Sequence, residues 1–164
     1  KKIQNIKRNY QKKITYNELI ILKKLNYYKK RKIYIANDIK LALKSKLDGV
    51  YIPAFNKKIN YLSSFSIPKN FEIIGSAHNI NEIKIKKKQG CNEIFLSPLF
   101  KVKKRNYFLN IYNFNKLTID NNLKYIALGG INQKNYKKIK LTKSFGFAGI
   151  SWIKKNGLSK LRPF

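Results

Sequence analysis

Six short β-rich apolar runs, none with polar alternation, set the strongest limit on what this chain can fold into: Ile33 to Ala36, Val50 to Ile52, Ile73 to Ile74, Ile94 to Leu96, Tyr125 to Leu128 and Phe147 to Ile150. A strand with one wet face alternates apolar and polar side chains, so runs without alternation belong to a sheet covered on both faces. Between the runs lie segments with helical spacing, namely Glu18, Leu19, Leu22 and Leu25, then Ile39, Leu41, Leu43 and Leu47, and later Ile80, Ile83 and Ile85. Strands that alternate with amphipathic helices pair in parallel through right-handed crossovers. The expected class is therefore α/β.

Turn residues fall where such units should end. Gly90 follows the helical segment ending at Gln89, and Gly129-Gly130 follows a strand just before Asn132, which is placed to cap the next helix. With a first strand near Ile3 to Lys7 there are seven strands, each expected to be followed by a helix except the last. A closed (β/α)8 TIM barrel needs eight. The chain has no Met and enters a strand almost at Lys1, which leads us to expect a truncated N-terminus and a barrel lacking its first strand-helix unit. The structural rival is an open doubly wound sheet. The 164 residues, 43% of them hydrophobic, suit one domain spanning 1–164 with a single core.

Composition bears on location and partners. Lys or Asn interrupts every apolar run, so no segment is long enough to span a bilayer. One Cys, Cys91, forms no internal disulfide, one Cys and one His make no tetrahedral zinc site, and the beginning lacks a secretory signal pattern. A cytoplasmic location is expected. The formal charge of +30 attracts phosphate on either nucleic acid or a small ligand. It is nearly all Lys, spread along the chain with abundant Asn and Ile, whereas bidentate phosphate recognition favours Arg. Solvated Lys faces with incidental polyanion affinity, and no specific nucleic-acid partner, follow from that balance.

In parallel α/β folds ligands sit at the carboxyl ends of the strands. The polar residues there are Arg8 and Asn9, Asn37 and Asp38, Asn56, Ser76 and His78, Lys101 to Arg105, Gly129 and Gly130, and Ser151. The glycine pair either admits a phosphate to backbone N–H groups at a helix start or only permits a tight turn. Asn37 or Asp38 caps the following helix, and Asp38 is also a hard oxygen ligand suited to Mg2+. His78, the single histidine, is a general acid or base, or a loop-positioning hydrogen bonder. Cys91 reads as a packing residue.

These residues sit in segments that resemble the thiamine phosphate synthase/TenI family. YIANDIKLALKSKLDGVYI is similar to its IINDxxxLAxxxxADGVHL, and IIGSAHNINEIKIKKKQGCNEIFLSPLF to the stretch from GxSxH to GPIF. YIALGGIN resembles VAIGGI, FGFAGISWI resembles DGVAVxSAI, and Arg8 matches the arginine of QxREK. The resemblance implies a transferase that joins hydroxymethylpyrimidine diphosphate to thiazole phosphate with Mg2+. It also implies roles: Arg8 and Asn37 on the diphosphate, Asp38 on Mg2+, Ser76 near the reacting pyrimidine, and Gly129, Gly130 and Ser151 on the thiazole phosphate. His78 joins this substrate-binding set, while Lys104 and Arg105 join Ser76 and Arg8 among the catalytic candidates.

Departures from the pattern lie at the chemical site. Asn56 stands where the synthases carry a second metal carboxylate, which implies a weakened Mg2+ site. Lys101-Val102-Lys103-Lys104-Arg105 replaces PTxTK, losing two threonine hydroxyls but keeping positive charge, and Tyr10 replaces the lysine of QxREK. Pro98 occupies the place of the histidine of the thiazole tautomerase branch. The alternative reading is a non-catalytic TenI-like binder of thiazole phosphate or thiamine phosphate.

Overall fold

A computed structural model describes residues 4–7, 15–28, 31–103, 105–119 and 122–149. Seven parallel strands pair in strict chain order, β1 (Gln4–Lys7), β2 (Lys32–Ala36), β3 (Gly49–Ile52), β4 (Glu72–Ala77), β5 (Glu93–Leu96), β6 (Lys124–Leu128) and β7 (Gly146–Ala148). Among the described residues there are four α-helices, α1 (Tyr16–Tyr28), α2 (Ile39–Lys44), α3 (Ile80–Lys88) and α4 (Asn110–Leu117), with a 3-10 helix at Tyr136–Leu141. The α/β class and the parallel pairing are as the sequence led us to expect. Among the described residues the sheet has seven strands, and pairing runs from β1 to β7 without joining those two.

One expected helix is replaced. Residues 53–71, between β3 and β4, form turns and bends with no helical segment. Pro53 and Pro68 stand near the two ends, and each fixes φ and removes a backbone donor. The segment still packs, because Tyr61, Leu62, Phe65 and Ile67 lean on the core. Asn132 also acts differently from expectation. Its Oδ1 accepts from the Lys134 amide at 2.8 Å, and the 3-10 helix begins only at Tyr136.

Burial explains the unalternated runs. On one face of the sheet Tyr34, Tyr51, Ile74, Phe95, Ile126 and Leu128 form a single cluster. On the other, Val50, Ile52, Ala77, Ile94, Leu96, Tyr125 and Ala127 pack with Ile39, Ile83 and Phe114 of the helices. Because the described helices cover one face while side chains from β2 to β6 meet on the other, the sheet curls as part of a barrel wall. The register is staggered accordingly, with Ala36 opposite Tyr51, Tyr51 opposite Ile74, Ile74 opposite Glu93 and Glu93 opposite Lys124. Such a progressive shift is the shear by which a parallel sheet bends toward a barrel. Each fully buried aliphatic side chain here contributes on the order of 1.5–3 kcal/mol.

The amino-terminal end of the curled face is polar. Lys32 pairs with Glu72, and the Tyr34 hydroxyl donates to the same carboxylate. Burial, reinforced by that carboxylate, raises the Tyr34 phenol far above its ordinary range. This plug lies at the end of the strands opposite the candidate ligand residues.

Candidate functional site

The carboxyl ends of β2 to β5 are laced together by side chains that the sequence singles out, and those of β5 and β6 by backbone hydrogen bonds. Asn37 follows β2 with φ 59°, a left-handed conformation that asparagine tolerates better than most residues. Its Oδ1 accepts from Asn56 Nδ2 at 2.9 Å, joining the ends of β2 and β3. The Ala54 amide donates to Ser76 Oγ at 3.0 Å, joining β3 to β4. His78 Nδ1 lies 2.6 Å from the Ser97 carbonyl oxygen and 3.2 Å from Ser97 Oγ, joining β4 to β5. The Leu99 amide then donates to the Leu128 carbonyl at 2.8 Å and that of Phe100 to Gly129 at 3.1 Å, joining β5 to β6.

Local structure accounts for each placement. Asp38 is the N-cap of α2, its Oδ1 accepting from the Leu41 amide at 2.9 Å. Burial raises the Tyr61 pKa, a hydrogen bond with the Ile39 backbone opposes the rise, and the Asp38 carboxylate adds to it. Asn79 caps α3 by accepting from the Glu82 amide at 3.0 Å, and the Glu82 carboxylate reaches back to the His78 amide at 2.7 Å. His78 is therefore held by backbone and ring together. A carbonyl oxygen can only accept, so Nδ1 carries the proton and donates to Ser97. In that tautomer the ring does not activate the Ser97 hydroxyl as a nucleophile.

Gly129 and Gly130 have φ 93° and 71°, which L side chains rarely adopt. They also need to be small: a Cβ on Gly129 would lie 2.8 Å from Pro98 Cβ, and one on Gly130 would strike the Phe100 carbonyl and lie 2.8 Å from the Lys101 oxygen. Both Asn132 Nδ2 and Asn135 Nδ2 donate to the Gly130 carbonyl, at 3.2 and 2.8 Å. Arg105 is exposed in a tight turn closed by its amide on the Val102 carbonyl at 3.2 Å.

Asn37, Asp38, Asn56, Ser76, His78, Gly129 and Gly130 thus share one rim, and Arg105 sits in the loop packed beside the glycine pair. Arg8, Lys104 and Ser151 lie outside the described residues. A cleft of about 560 Å3 lined by Thr118, Lys124, Thr142, Lys143 and Phe145 opens at the opposite end, where β6 and β7 begin. That end is the one parallel α/β folds use for stability rather than ligand binding.

Behind the rim lie two residues that the sequence reading did not single out. Lys86 is fully buried and donates to the Asn56 carbonyl and to Gln89 Oε1, each at 2.7 Å. Burial pulls its pKa down to about 8. Gln89 Nε2 donates to the carbonyls of Asn56 and Lys58 at 3.0 and 2.8 Å. A signal was present, since Lys86 falls three residues after buried Ile83, on the inward stripe of α3. The abundance of lysine concealed it.

For Mg2+ the donor set is small. Among the described residues no group of three His, Cys, Asp or Glu side chains comes together. Asp38 has one oxygen committed to its cap, and Asn56 Oδ1 accepts from the Lys58 amide at 3.1 Å. Mg2+ needs only one or two protein carboxylates when phosphate oxygens and water complete its shell. The residues fit an ion delivered with a phosphorylated ligand.

Sequence comparison places the chain in a family: residues 3–153 match the family model described as thiamine monophosphate synthase. The chain belongs to that family. A thiamine-phosphate synthase of Prochlorococcus marinus strain SARG is 36% identical over 112 residues, covering 66% of this chain and 32% of the relative. Another, from strain AS9601 of the same species, is 32% identical over 136 residues, covering 79% and 33%. The chain spans about a third of the length of these two relatives. Among solved structures, thiamine phosphate pyrophosphorylase from Pyrococcus furiosus superposes with TM-score 0.68 at 18% identity, covering 90% of this chain and 71% of that one. This likeness speaks for the fold alone.

Proposed function

We propose that this domain is the coupling domain of a thiamine phosphate synthase, joining hydroxymethylpyrimidine diphosphate to thiazole phosphate, and that its curled sheet is the larger part of a (β/α)8 barrel. The observation that carries the reading is the lacing of Asn37, Asn56, Ser76, His78 and Gly129 along one rim, in a chain that belongs to this family.

The chemistry needs charge management more than proton transfer. The bond between the pyrimidine methylene and the diphosphate oxygen breaks, its electron pair leaving with diphosphate, and the thiazole nitrogen lone pair forms the new C–N bond. Arg8, Asn37, Lys104 and Arg105 would hold the diphosphate as negative charge gathers on it. Ser76 would lie beside the pyrimidine, with His78 keeping that loop and the β5 end in register. Gly129, Gly130 and Ser151 would present the thiazole phosphate. Mg2+, held by Asp38 with Asn56 nearby, would supply charge neutralisation to the diphosphate.

Incubating the protein with both substrates and Mg2+ should release diphosphate and form thiamine phosphate. An absence of product beside an active synthase control would reject the reading. Asn56, in place of a carboxylate, favours a second one, a non-catalytic binder of thiazole phosphate or thiamine phosphate. It predicts calorimetric binding without turnover.

A further inference from the structure

The α3 face behind the rim carries a device that the coupling reaction as described does not use. Lysine is almost never fully buried unless it is paired, yet Lys86 has no exposed surface. An apolar side chain would fill the same space without desolvating a charge. The ammonium is spent on the rim loop instead: it and Gln89 Nε2 converge on the Asn56 carbonyl at 2.7 and 3.0 Å, and Gln89 also holds the Lys58 carbonyl at 2.8 Å. With its backbone fixed from behind at two positions, Asn56 turns its side chain the other way. Its Oδ1 accepts from the Lys58 amide at 3.1 Å and its Nδ2 donates to Asn37 Oδ1 at 2.9 Å.

Gly75 makes room for the lysine stem. A Cβ at that position would lie 2.8 Å from Lys86 Cδ and 2.9 Å from Cys91 Sγ. Gly75 of β4 is thus matched in size to Lys86 of α3, and a hydrogen-bonded chain runs from α3 through the loop after β3 to Asn37 at the end of β2.

We infer that Lys86 and Gln89 are positioning residues that set the orientation of Asn56, and through it Asn37, at the diphosphate end of the rim. The role of that end rests on the proposed coupling function; the clamp itself rests on the hydrogen bonds.

The test uses the full chain and its Lys86→Met and Gln89→Leu variants. In the unaltered protein the Lys86 ammonium should give a slowly exchanging nitrogen resonance near neutral pH, and its absence would overturn the inference. In each variant the amides of Asn56 and Lys58 should exchange at least tenfold faster, while β4 and β5 amides stay within twofold. Unchanged loop amides in Gln89→Leu would overturn the clamp even if Lys86→Met fails to fold. In kinetics, KM for the pyrimidine diphosphate should rise at least fivefold with KM for thiazole phosphate within twofold; an equal rise in both would reduce the pair to a structural role. A protein without coupling activity would sink the proposed function, and the loop amides would still decide the clamp.

Discussion

Cys91 stands just ahead of β5 with 3% of its surface exposed, packed into the core of Val50, Ile94 and Ile83. Burial pushes its thiol up from 9.0 to about 12, against a smaller opposing influence of Lys86. Well below pH 9 the thiol is protonated in both folded and unfolded chains and adds no pH dependence. Between pH 9 and 12 the unfolded chain loses this proton and the folded one keeps it, so stability falls as pH rises. Lys86, lowered to about 8, acts in the opposite sense over the same range, so the thiol is read by difference: from pH 8 to 10.5 urea midpoints should decline more steeply, or rise less, in the unaltered protein than in Cys91→Ala. Parallel profiles would show that the thiol titrates normally in the fold. Alkylation by iodoacetamide at pH 8 should be slow until the protein unfolds, because the thiolate is the reacting form.

At the scale of elements, the β6 turn is the most exacting. Gly130 combines φ 71° with a backbone wall formed by Phe100 and Lys101. Gly130→Ala adds left-handed strain of roughly 1–2 kcal/mol and forces the 100–105 loop away. A stability loss of at least 2 kcal/mol on the scale of strain plus overpacking is expected, read from urea unfolding, and under the proposed coupling function thiazole phosphate binding should be lost as well. An unchanged midpoint would mean that the turn relaxes freely. The strands were legible from sequence because burial on both faces leaves an unalternated signature, and α2 and α3 because their apolar spacing is regular. The segment after β3 was not, since regular alternation of strand and helix was extended across a stretch bounded by Pro53 and Pro68. Of the rim, the positions of Asn37, Ser76, His78 and Gly130 followed from the rule that ligands sit at strand ends. Lys86 escaped because one buried lysine looks, in a chain this basic, like any solvated one.

On the scale of the molecule, 37 Lys and Arg against 7 Asp and Glu leave a formal charge of +30 on 164 residues. Such an excess repels itself in the compact state, and the repulsion is relieved when salt shortens the screening length to about 10 Å at 0.1 M and about 3 Å at 1 M. Raising NaCl from about 20 to 500 mM should therefore raise the thermal midpoint, whereas a stability dominated by favourable surface ion pairs would fall. Phosphate-rich polymers should act in the same direction at low salt by binding the lysine faces. Their affinity should drop steeply and log-linearly with salt, without preference for base sequence. Melts in NaCl, with sucrose as a control for non-ionic stabilisation, separate the two effects. A midpoint that stays flat or falls with NaCl would mean that the charges are paired or far enough apart to be harmless. Salt-resistant, sequence-selective binding would instead turn the lysine surface into a nucleic-acid interface.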